Sequence, residues 1–148
     1  MVGDIMGMRS VVPDDVDDHP DLSLPRLPGM PLDGPTPTYI FLLFPSVSIN
    51  VLDNHVVRTI WSARSPVETR WRSTWYFTAE AVESGRHRAE CQEIVDFWKA
   101  VRGEDQGVVT PVQRGHQSLG PGPREVRFSP FWDDLLLHFQ RHLVKALS

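Results

Sequence analysis

Hydrophobic and polar positions change period once along this chain, from about two in its middle to about 3.6 in its second half. "TYIFLLF" from Thr38 and "VSINVL" from Val47 are rich in β-branched and aromatic residues and read as strands. Asp53-Asn54 separates "SINVL" from "HVVRTIW", the pattern of a hairpin with a tight turn. "ETRWRSTWYFTA" is a further strand, with Thr69, Trp71, Ser73, Trp75 and Phe77 on one face and Arg70, Arg72, Thr74 and Tyr76 on the other. Three or four antiparallel strands in succession make a meander. After Glu83-Ser84-Gly85 the period switches: Cys91, Ile94, Val95, Trp98 and Val101 fall at helical spacing through "RHRAECQEIVDFWKAVR". Gly103 interrupts this helix, and "VVTPVQRG" predicts further helical turns ending at Gly115. Asp105 stands at the junction. Val108, Val109 and Val112 follow it by three, four and seven residues, which places its carboxylate on an apolar face where it needs a partner, a metal ion being one candidate. The tail "SPFWDDLLLHFQRHLVKAL" opens with Ser129 as N-cap and Pro130 at the first helical position. It carries Phe131, Leu135, Leu136, Phe139, Leu143 and Leu147 along one face, a long helix for packing on the sheet.

Composition narrows what these elements can do. The 148 residues, 41% hydrophobic with five tryptophans, suffice for one domain with its own core. Residues 1–37 carry seven aspartates, seven of the thirteen prolines and no Phe, Tyr or Trp, and read as an extended or disordered acidic leader before a folded part at 38–148. The net charge of -4 leaves no basic footprint for nucleic acid. The longest apolar run, "YIFLLFPSVSINVL", is broken by Pro45 and falls short of the roughly 20 residues of a spanning helix, and the amino terminus is not a secretory signal. The single cysteine, Cys91, excludes an internal disulfide, fits a reducing cytoplasmic setting, and cannot supply the two thiolates of a two-Cys, two-His [2Fe-2S] cluster.

In this order and spacing, "LPGMP" leading into "YIFLLFPSVSINVLDNHVVRTIWSARSPVETRWRSTWYF", then "EDQGVVTPVQRGHQS", then "FSPFWDDLLLHFQRHLVKAL", the chain from about Leu24 to its end resembles the catalytic-domain end of the alpha subunit of Rieske non-haem iron ring-hydroxylating oxygenases. The resemblance implies an α+β fold of the helix-grip kind (START or Bet v1-like), a curved antiparallel sheet packed on long C-terminal helices, present here as a partial domain. It also implies oxidative chemistry: Fe(II) and dioxygen used to hydroxylate or demethylate a small organic substrate, with electrons from a Rieske [2Fe-2S] cluster and a reductase. Asp105 matches the carboxylate of the family's two-histidine, one-carboxylate iron site, a ligand set that leaves open positions on the metal. Gln113 and His116, eight and eleven residues after Asp105, and Trp71 and Trp75 on the sheet are the positions expected to line the substrate pocket. No residue is assigned as a catalytic acid, base or nucleophile.

The family's His-x4-His pair has no counterpart: His19-Pro20 resembles its second half, but Asp14 stands five positions earlier. The iron site is therefore expected to be incomplete and the chain inactive alone, with the cluster available only from another chain. His138 and His142, at i,i+4 spacing, read as a half-exposed helix flank, and His87 and His55 as surface histidines. Cys91 reads as a small buried apolar residue. Two readings of other classes stand beside the enzyme. One is a non-enzymatic module binding a small ligand, with Trp71, Trp75 and Phe77 as walls; the other is a gene fragment without function.

Overall fold

A computed structural model describes residues 5–11, 24–31, 37–120, 127–129 and 133–148. Five strands, β1 (Ile5–Val11), β2 (Pro37–Leu43), β3 (Val47–Val51), β4 (His55–Ser65) and β5 (Glu68–Phe77), form one antiparallel sheet in sequence order, a meander of five strands where the residue pattern predicts three or four. The sheet is curved and carries three helices, α1 (Ala79–Glu83), α2 (Arg88–Ser118) and α3 (Asp134–Leu147), an α+β architecture of the helix-grip kind. The turn at Leu52 to Asn54 is the predicted hairpin: Val51 pairs with Val56, and Leu52 N–H donates to the His55 carbonyl at 3.0 Å.

Because directly paired residues share a face, the registers order the inner face of the sheet into rows. Met6, Leu42, Ser48, Thr59 and Ser73 make one row; Met8, Ile40, Asn50, Val57 and Trp75 make the next; His55 and Phe77 continue the face on β4 and β5. Met6, Ser48, His55, Val57 and Thr59 are buried, so this is the side the helices cover. Leu24, Ala81 and Ile94 form a core cluster against it, with Trp75, Phe77, Cys91 and Trp98 packed around them. A large apolar side chain such as Leu24 or Ile94, fully withdrawn from water, contributes about 1.5–3 kcal/mol. The alternation expected of Ser73, Trp75 and Phe77 is therefore present.

Several expectations need correction. Residues 5–11, expected within a disordered leader, form an edge strand: pairing from Ile5↔Leu43 to Val11↔Pro37 supplies their backbone hydrogen bonds, and Met6 is fully buried. Most of the remaining leader, including Asp14 and His19, lies outside the described residues. The segment after Phe77 becomes α1 rather than more strand, because Thr78 caps it by accepting from Ala81 N–H at 3.3 Å. Gly103 does not break α2, which runs through Gly103, Gly107 and Pro111 to Ser118. Its stop lies beyond Gly115, at Leu119 and Gly120, where Gly120 takes a φ of 67° that a side chain would disfavour. α3 starts at Asp134 rather than at Pro130, a residue outside the described set together with Phe131. Asp133 stands at its N-cap and accepts from Ser129 N–H at 2.6 Å through its carboxylate.

Candidate functional site

α2 crosses the inner face so that its first half, not its second, meets the sheet. Trp98 donates its Nε1–H to His55 Nε2 at 2.9 Å. Nε2 is then the acceptor, so the proton sits on Nδ1, which donates to Asn54 Oδ1 at 2.7 Å. His55 is thus buried beneath the helix and satisfied at both nitrogens, not on the surface as its place after a turn suggests. His87 is likewise buried, its Nδ1 3.0 Å from Glu90 Oε2 in the first turn of α2.

One turn past Trp98, Arg102 reaches over the sheet. Its guanidinium lies 5.0 Å from the Trp75 ring centroid and 5.9 Å from that of Trp71, and its Nη2 is 3.5 Å from Thr59 Oγ1. Thr59 and Ser73, cross-strand partners, share a hydrogen bond at 2.8 Å. Partial burial holds the Arg102 pKa below its ordinary value, and the charge of Asp105, three residues on, works the other way. In the adjacent row Asn50 Oδ1 and Trp75 Nε1 are buried without a hydrogen-bond partner among the described residues.

The structure therefore brings Trp71, Trp75 and Arg102 together, with Asp105 one turn away. Gln113 and His116 are not part of this group. Both are exposed on the outer half of α2, about 12 and 16 Å farther along the axis than Asp105 at 1.5 Å per residue. Asp105 is exposed as well, and Val108, Val109 and Val112 are 66, 63 and 53% exposed, so the apolar face on which it was placed covers no core. Arg102 and His55 escaped the residue pattern. The signal for Arg102 was available: it falls four residues after Trp98 and seven after Val95, a cation on the apolar stripe.

No group of three His, Cys, Asp or Glu side chains able to hold a metal ion occurs among the described residues. His138 and His142 lie with ring centroids 4.6 Å apart on α3, His142 also 5.9 Å from Phe44, and bring no carboxylate with them. The described donors consequently do not fit a complete mononuclear iron site. Cys91 sits at the edge of the core; burial, then the charge of Glu90, pushes its thiol pKa up, away from a thiolate.

A second feature lies where α3 meets the sheet. Met8, Leu42, Leu43, Pro45, Val47, Trp61, Leu135, Leu136 and Phe139 line a partly open cavity of about 470 Å³, a size that takes a small organic molecule. No polar side chain other than the Trp61 indole lines it. Phe44, beside it, stacks on Phe139 at 5.6 Å. Among the described residues no helix is long and apolar enough to cross a membrane.

No curated protein and no solved structure matches the chain. The family model for the ring hydroxylating alpha subunit (catalytic domain) does, over residues 4–148, which takes in β1 and the leader as well as the sheet and helices. A match over nearly the whole length, on a helix-grip sheet with an apolar cavity, places the chain in the ring-hydroxylating oxygenase alpha-subunit family, as part of its catalytic domain.

Proposed function

We propose that this chain is the substrate-enclosing, carboxyl-terminal part of a ring-hydroxylating oxygenase alpha subunit, serving Fe(II)- and dioxygen-dependent hydroxylation or demethylation of a small organic substrate. The family match over residues 4–148 carries the reading. The 470 Å³ cavity under α3 supports it, because its apolar lining suits a compact hydrophobic molecule. Asp105 is the position we assign to iron. An iron site there would need two further imidazole ligands, and the [2Fe-2S] cluster that passes electrons from a reductase is present only if another chain supplies it. The setting is the reducing cytoplasm, in keeping with one unpaired cysteine.

Anaerobic equilibrium dialysis with Fe(II) tests the assignment. The chain alone is expected to retain no tightly bound iron. Mixed with a polypeptide bearing a His-x4-His pair and a Rieske domain, it is expected to retain iron and to consume oxygen with substrate present, and Asp105→Asn to abolish both. Iron retention by the mixture that is indifferent to Asp105→Asn would overturn the assignment. The cavity also supports a second reading, a binding module without metal chemistry. Saturable, metal-independent quenching of Trp61 fluorescence by small aromatic compounds, with no iron retained by the mixture, selects that reading; an insoluble chain without cooperative unfolding selects a functionless fragment.

A further inference from the structure

The geometry points to the outer face of the sheet, the side turned away from α2, as a docking surface for an anionic lipid membrane. The registers that put Met6 and Val57 beneath the helices put their strand neighbours on this side. Phe41, Ile49, Arg58 and Thr74 make one row, and Arg9, Tyr39, Val51, Val56 and Tyr76 make the next. Farther along, Ile60 pairs with Arg72 and Ser62 with Arg70. None of the apolar members is buried, and Phe41 and Tyr76 are 36 and 44% exposed. A Cβ at Gly7 would stand 3.2 Å from Phe41 Cδ1, so the glycine leaves room for the ring to lie on the sheet. Three adjacent strands and Tyr76 of the fourth thus present one continuous apolar block, the kind of surface that marks an interaction site.

Charge decides what covers the block. Arg9, Arg58, Arg70 and Arg72 border it, all exposed and none in a salt bridge among the described residues; the Arg58 guanidinium lies 5.6 Å from the Tyr76 ring centroid. The only carboxylate on the five strands is Glu68, at the start of β5, although the chain as a whole carries a net charge of -4. A second copy laid face to face would set these arginines against their own kind with no row of carboxylates to meet them. The partner is therefore anionic and has an apolar interior. A lipid leaflet supplies both: its phosphates accept from the guanidinium forks, while Phe41 and the two tyrosines enter the headgroup boundary. The arginines are spread over β1, β4 and β5 rather than grouped. A surface charged throughout meets all four at once, whereas an acidic protein needs a carboxylate placed for each. The chain then lies on the membrane without spanning it, in keeping with its described helices.

Flotation of the whole chain with phosphatidylcholine vesicles, alone or carrying roughly one-third phosphatidylglycerol, tests the docking. The chain is expected on the anionic vesicles only, and to leave them as salt is added. Arg58→Gln, Arg70→Gln and Arg72→Gln combined should lower partitioning about a hundredfold, at about fivefold for each arginine. Phe41→Ser alone should lower it about tenfold, because apolar insertion adds to the attraction of charge. Arg88→Gln, Arg114→Gln and Arg141→Gln combined, the same charge change made on the helices, should cost no more than about threefold. Circular dichroism checks that each variant is folded. No partitioning by the folded wild type, equal partitioning onto both vesicles, equal losses in the two triple variants, or no loss in folded Phe41→Ser would each overturn the assignment. Soluble polyglutamate bound as tightly as the anionic vesicles would give the face to an acidic protein instead. A dimer in sedimentation that Phe41→Ser dissolves would give it to a second copy, and either result overturns the lipid assignment. None of these measurements involves iron, substrate or turnover, so failure here is distinct from failure of the oxygenase reading.

Discussion

His55 shows how one side chain ties a helix to a sheet. Its ring accepts from Trp98 on α2 and donates to Asn54 in the hairpin turn while being 3% exposed, so removing it strands an acceptor on one side and a donor on the other. His55→Leu is expected to lower unfolding free energy by about 2–3 kcal/mol, the cost of buried polar groups left unmet, as measured by urea denaturation. A loss below about 1 kcal/mol would show that the network does not hold the helix. Cys91 gives a residue-scale pH dependence. Its raised thiol pKa, caused first by burial and then by Glu90, means that folding favours the protonated form. That contribution is complete below the free-thiol pKa of about 8.5 and is lost as pH rises through the higher folded value. Relative to Cys91→Ala, the chain should therefore lose stability as pH is raised above that range in a series of chemical melts. Iodoacetamide should also alkylate Cys91 at pH 7.5 more slowly than it alkylates a cysteine in an unstructured peptide.

The strands and helices were legible where one face is buried and hidden where pairing or capping decides. The β3–β4 hairpin, the alternation in β5 and the stripe of Cys91, Ile94 and Trp98 all appear as read, because each puts its apolar residues on the side that packs. β1 was hidden. Its seven residues sit in a proline- and aspartate-rich stretch, and only the partner strand β2 makes them a strand. In α2 a real period led to the wrong place: Val108, Val109 and Val112 do recur at helical spacing, but the helix projects past the sheet there and the face stays in solvent. This outer half carries Gly103, Gly107, Gly115 and Pro111, residues that weaken a helix, and it lacks tertiary packing to offset them. Hydrogen exchange should be slow through the first half of α2 and fast from about Gly107 onward. Gly103 and Gly107 have ordinary backbone angles and open space around a would-be Cβ, so Gly103→Ala and Gly107→Ala should each raise helix stability by about 0.5–1 kcal/mol, seen as slower exchange and higher helicity. Faster exchange in either variant would mean that the glycine serves a bend the helix requires.

At the scale of the molecule, order along the chain carries the fold and distance across it carries the site. A run of strands followed by helices sufficed to read an α+β domain. The contacts between residues 55 and 98, 59 and 102, and 44 and 139 arise only once the sheet curls and the helices lie on it, and no local pattern encodes them. The α3 cavity is a long-range feature of the same kind. Its walls come from β1, β2, β3, β4 and a helix nearly ninety positions after the β3 strand, so α3 closes it from a distance in sequence. Without α3, Met8, Leu42, Leu43, Val47 and Trp61 lose their cover of Leu135, Leu136 and Phe139, while the Leu24, Ala81 and Ile94 cluster, which includes no α3 residue, keeps its own. A chain ending at Gly120 should therefore keep strand and α2 circular dichroism but bind the dye ANS, which reports exposed apolar surface, and its urea midpoint should fall. Trp61 emission should shift to the red as its indole meets water, while a Leu136→Ala chain should show a smaller fall in midpoint, corresponding to about 1–3 kcal/mol of unfolding free energy for a half-exposed leucine, without dye binding. An unchanged midpoint and no dye binding in the shortened chain would mean that α3 rests on the sheet without closing it, and that the cavity has no part in holding a substrate.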